Sequence, residues 1–227
     1  MASRKEEKER LRKEREERER QEEQKSKQRK RRARVLGAAA LLVLALAIIG
    51  FVALSGGDKK TPEEAQKGLQ ATPGPWEPLV EGLEERENAL GLPAPSDTIY
   101  HVHAQLKVFV NGKPMKVPNN IGIDSAKGFL SSLHTHDEKG IMHLEAVEPY
   151  PFTLGQFFTV WGVRFTPTAL GAFQAGNGLV LETYLNGKKV PNGPALQMKQ
   201  SDRVVVMFGK PGSAPKDFKL DPDAAAG

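Results

Sequence analysis

Between positions 98 and 110 the chain reads TIYHVHAQLKVFV, and the alternation in that stretch limits the fold more than any other feature. In a strand, neighbouring residues point to opposite faces. Tyr100, Val102, Ala104, Leu106, Val108 and Val110 therefore form one apolar face, while His101, His103, Gln105 and Lys107 form the other. A helix would scatter the apolar set around its circumference, whereas a sheet packed on one side keeps it together. Asn111-Gly112 follows and KPMKVP returns, a hairpin that brings Met115 beside Val108 and Val117 beside Leu106.

The same arithmetic applies to LHTHDEKGIMHLE, residues 133 to 145. A turn centred between Glu138 and Lys139 pairs His136 with Ile141, His134 with His143 and Ser132 with Glu145. The opposite face receives Leu133 with Leu144 and Thr135 with Met142, so Met142 belongs to the core. A third hairpin is expected from LVLETYL through Asn186-Gly187 to KKV, and RVVVMFG closes the sheet. The likeness of VNGKPMKVPN and LNGKKVPN follows from shared turn chemistry as readily as from a repeat. One short buried helix is expected over TLGQFFTVWG, where Thr153 and Gln156 form a capping box and Gly162 is the stop. A second, in EPLVEGLEERENALGLPAP, should pack on the domain through Leu79, Val80, Leu83 and Leu90.

Charge divides the chain. Residues 1 to 34 carry 16 Lys/Arg against nine Glu, a net of +7 in a chain of formal charge +5, so everything after them sums to −2. That removes the basis for a nucleic-acid reading. The run VLGAAALLVLALAIIGFVAL, residues 35 to 54, holds no charge over twenty residues, the length a membrane-crossing helix needs. KSKQRKRRAR precedes it, which by the positive-inside rule leaves the N-terminus in the cytoplasm. A cleaved signal peptide ending near Ala53 is the competing reading.

The expected fold class is α+β: a single N-terminal transmembrane helix, then a small, largely antiparallel β domain of hairpins with one or two short helices. The expected divisions are a charged cytoplasmic tail (1–34), the membrane helix (35–54), a linker (55–76), a short helix and connector (77–96), the β domain (97–210) and a flexible tail (211–227). The expected partner is the plasma membrane, with the C-terminal domain outside the cytoplasm and any protein partner unidentified.

All five histidines, His101, His103, His134, His136 and His143, fall between residues 101 and 143, and both hairpins place histidines away from the apolar face. With no cysteine in the chain, a metal would be held by nitrogen and oxygen, and several imidazoles without thiolate suit copper or zinc. Asp137 and Glu145 are the acids placed to orient a ligand imidazole or to act as a base toward a metal-bound water. Four other readings stand beside this one: imidazoles that only hydrogen-bond one another, a histidine pH switch, a metal-free interaction domain, and a metal-dependent enzyme of unknown reaction. No reaction can be named. No G-x-S-x-G, P-loop, H-E-x-x-H or dinucleotide fingerprint is present, and Ser131 and Ser132 lie on no turn that would expose a nucleophile.

Taken together, YHVHAQLKVFVNGK, LHTHDEKGIMHLE and FTLGQFFTVWG resemble an uncharacterised family of bacterial membrane-anchored proteins with an extracytoplasmic histidine-rich domain. The resemblance covers about residues 99 to 164 and implies a location without an activity. A cupin would place Glu three or four residues past its second histidine, where this chain has Lys107 and Val108.

Overall fold

A computed structural model describes residues 68–97 and 99–225. Alternation becomes strand where the sequence alternates: β1 (Tyr100–Val110) is eleven residues long and runs through the middle of a seven-stranded sheet. Its neighbours are β2 (Lys113–Met115), across the Asn111-Gly112 turn, and β6 (Ile141–Ala146), both antiparallel. Asn111 and Gly112 have φ of 50° and 79°, the left-handed pair that a two-residue hairpin requires. Asn186 and Gly187 repeat the device between β9 (Val180–Leu185) and β10 (Lys188–Val190). Short pairs β3 (Ile123–Asp124) with β4 (Phe129–Leu130), and β7 (Ala169–Leu170) with β8 (Phe173–Gln174), stand outside the main sheet.

The main sheet runs β10, β9, β11, β1, β6, β5, where β5 is Leu133–His134 and β11 is Asp202–Gly209. β11 lies parallel to β1, with Leu106 beside Val204 and Val108 beside Val206. Hairpin signals cannot announce such a pairing, because it joins segments about a hundred residues apart through a long crossover.

Helix α1 (Leu83–Leu90) and helix α2 (Leu154–Trp161) have eight residues each, and α3 (Pro222–Ala225) has four. The α2 capping box forms with both hydrogen bonds present, and Gly162 ends the helix at φ 83°. A Cβ on Gly162 would stand 2.2 Å from Cβ of Leu79, so glycine is required there for packing as well as for the backbone. α2 buries Leu154, Phe157, Phe158 and Trp161 against the apolar sheet face of Ala104, Leu106, Val108, Met142 and Leu144. Trp76, in the segment expected to be linker, is 1 % exposed and sits edge-on to Trp161.

The α+β expectation is corrected: the domain is mostly β-sheet, with a few short helices. Helical periodicity lasts only two turns before Gly91 and Gly162 stop it, while the alternating segments recur along the chain. Among the described residues no helix is long and apolar enough to cross a membrane. The run 35–54 that carried this expectation, and the charged segment before it, lie outside the described residues.

The far face of the sheet has a smaller apolar cluster of Phe109, Tyr184, Val205 and Met207, with Phe218 against it. Phe218 belongs to a C-terminal segment that lies along this face. Asp217 pairs with Arg203, Lys107 sits over the Phe218 ring, and the Asp221 amide donates to Gln105 Oε1 at 2.9 Å.

Candidate metal centre

Strand register brings the histidines together. β6 lies between β5 and β1, with His134 opposite His143 and His143 opposite His103. Three imidazoles thus stand in one row across three strands, each separated from the next by the interstrand spacing of about 4.8 Å. One step along, His101 faces Glu145 across the same β1/β6 pair. His136 follows β5 by two residues and is exposed, whereas His134 is fully buried, and His103 and Glu145 are 8 % and 5 % exposed.

Their neighbours fix these side chains. The Ser131 carbonyl lies 2.9 Å from Nδ1 of His134 and can only accept, so Nδ1 carries the hydrogen and Nε2 is left with its lone pair. Ser131 is held by its amide bond to the Gly122 carbonyl. Ser132 is gripped by Glu87 of α1, whose carboxylate accepts from the Ser132 amide at 3.1 Å and faces its hydroxyl at 3.4 Å. Burial raises the Glu87 carboxyl above its ordinary value, and the Ser132 bonds oppose the rise. The His103 amide donates to Gln200 Oε1 at 2.7 Å, which ties β1 to the segment before β11.

Two groups of three result, and each can hold a metal ion. In the first, His103 Nε2 lies 2.8 Å from His101 Nε2 and 3.1 Å from His143 Nδ1, and the last two are 3.2 Å apart. Two nitrogens bound at about 2.0 to 2.1 Å to a common ion lie roughly 2.9 to 3.4 Å apart for angles between octahedral and tetrahedral. The triangle therefore has close to the spacing of a coordination site.

Hydrogen bonding alone cannot satisfy it. Each nitrogen either carries hydrogen or presents a lone pair, and around three mutually touching atoms these roles cannot alternate. At least one contact must set two donors or two lone pairs face to face. A cation resolves the conflict, because all three atoms can then offer lone pairs.

The second group is His134, His136 and His143, with His134 Nε2 3.1 Å from His136 Nε2. The His134 and His143 rings stack with centroids 5.0 Å apart. Burial, and then the neighbouring imidazoles, push His134 down to about 4 and His143 down to about 3, the Ser131 bond opposing part of the fall at His134. Both rings are neutral at ordinary pH, the state in which imidazole binds metal without first losing a proton.

All five histidines named from the sequence meet in this one region, in two overlapping groups of three that share His143. Glu145 is with them, but not behind them: its Oε1 lies 3.3 Å from His101 Nε2 and 3.5 Å from His134 Nε2, beside the nitrogens that would ligate. The Asp137 carboxylate accepts from the Lys139 amide at 2.8 Å within the turn. Ser131, Glu87 and Gln200 have structural roles that sequence reading missed. A carbonyl acting through the backbone leaves no side-chain signature, and the last two act from distant segments.

No family model matches the chain, and neither a curated protein nor a solved structure matches it. The functional reading rests on the site itself.

Proposed function

We propose that this domain binds a transition-metal ion, copper or zinc, and serves in holding or passing on that ion. One observation carries the reading: the triangle of His101 Nε2, His103 Nε2 and His143 Nδ1, whose three close contacts no arrangement of hydrogens satisfies. Three imidazole nitrogens suit either metal, and the absence of thiolate disfavours the softest ions. Three ligands leave room for a fourth partner, through which an ion could enter or leave, and His101 has 30 % of its side chain exposed.

A pH sensor is disfavoured by the same environment. His134 and His143, pushed to about 4 and about 3, do not change charge between pH 5 and 8, so the two rings at the middle of the site are not the switch.

The test is elemental analysis of the full chain, purified without a histidine tag, beside the His103→Ala/His143→Ala double variant. Copper or zinc bound in the wild type, with the ion of the triangle lost in the variant, is the expected result. Protein that stays empty after incubation with micromolar amounts of either ion would leave a metal-free interaction domain.

A further inference from the structure

The first triangle does not use all the groups gathered at this site. Once His143 Nδ1 is committed to it, His134 Nε2 remains, with His136 Nε2 3.1 Å and Glu145 Oε1 3.5 Å from it. His134 gives its Nδ1 hydrogen to the Ser131 carbonyl, so its Nε2 is a lone pair. That lone pair lies 3.5 Å from Glu145 Oε1, itself an acceptor, in a place where His134 is fully buried and the Glu145 side chain is 7 % exposed. Two acceptors turned toward each other away from water repel unless something positive lies between them.

The histidine beside them reaches the same point: His136 Nε2 is 3.1 Å from His134 Nε2. Glu145 Oε1 also lies 3.3 Å from His101 Nε2 and 3.9 Å from His143 Nδ1, atoms of the first triangle. A single carboxylate oxygen therefore stands between two sets of imidazole nitrogens, the position of a bridging ligand.

We propose that the site is a two-ion centre: His101, His103 and His143 hold one transition-metal ion, His134 and His136 hold a second, and Glu145 bridges them. The inference rests on the metal reading above and adds the second ion and its ligands. Glu145 supplies the negative charge that lets two cations approach, and the repulsion that remains makes the second ion the weaker by about tenfold or more. The second ion is also the more accessible, because His136 is exposed. The arrangement suits an ion taken up at the rim of a site that already holds another.

The experiment is equilibrium dialysis of the full chain against Zn(II) alone, beside His136→Ala, which alters an exposed side chain and leaves the fold intact. Two ions per chain in the wild type and one in the variant are expected. A repeat with Cu(II) should give an isolated paramagnetic resonance spectrum at one equivalent and a coupled, weakened one at two, the coupling being lost in Glu145→Gln. One ion in both proteins would overturn the second site and leave the proposed function standing. Two ions in His136→Ala would overturn the ligand assignment, and loss of all metal there would place His136 on the first ion and overturn the division. No ion in either protein would remove both proposals.

Discussion

The two faces of β5, β6 and β1 are made by adjacent residues of the same strands. Leu133, Leu144 and Ala104 point one way and are fully buried beneath α2. His134, His143 and His103 point the other way, and the first and last of these are buried too. Burial is nearly equal on the two sides, but its chemistry differs. On one face it comes with dispersion and loss of hydration, which stabilise the fold; on the other it crowds lone pairs that hydrogen bonds cannot reconcile. The fold depends on the first face and accommodates the second.

The comparison is broken most forcefully from the apolar side. Leu144→Ala should lower stability by about 2 to 5 kcal/mol in denaturant unfolding, while the protein that remains folded keeps its metal content. Equal loss of stability and of metal would mean that the faces are not separable.

From the histidine side the lever is pH. In the unfolded chain His134 titrates near 6.5, and in the fold at about 4, so protons bind the unfolded state first as pH falls. The stability of the metal-free protein should be fully present above pH 6.5 and decline as pH falls toward 4. The loss from His134 alone is on the order of 3 kcal/mol, and His143 acts in the same direction. Urea midpoints measured across that window check the sign, and a flat profile would contradict it.

How much of this was legible in the sequence follows from the range over which each signal acts. Alternation and the turns at Asn111-Gly112 and Glu138-Lys139 are local, and they place His134 opposite His143 and the apolar residues together on the core face, as found. The parallel pairing of β1 with β11 is not local, and it brings in Gln200 and the C-terminal segment that close the histidine face. How the five rings group is hidden from the sequence for a related reason. Strand arithmetic assigns faces, but whether five rings surround one point or two depends on rotamers and on where the Ser131 carbonyl and Glu145 fall.

A smaller effect sharpens the contrast. Zn(II) at a hundredfold excess over its dissociation constant should raise stability by about 2.7 kcal/mol. His143→Ala should remove most of that increment, read as a shift in thermal midpoint, while costing the metal-free protein far less than Leu144→Ala does. The smallest effect lies away from the site: Thr153→Ala removes the α2 cap and should cost about 1 kcal/mol, with metal binding unchanged by dialysis.

The most direct test of the histidine triangle is X-ray absorption of the full chain loaded with one equivalent of Zn(II). Three imidazole nitrogens at about 2.0 Å, with outer-shell scattering from the rings that is lost in His103→Ala/His143→Ala, is the predicted result. An oxygen-only shell, unchanged by the double substitution, would contradict it.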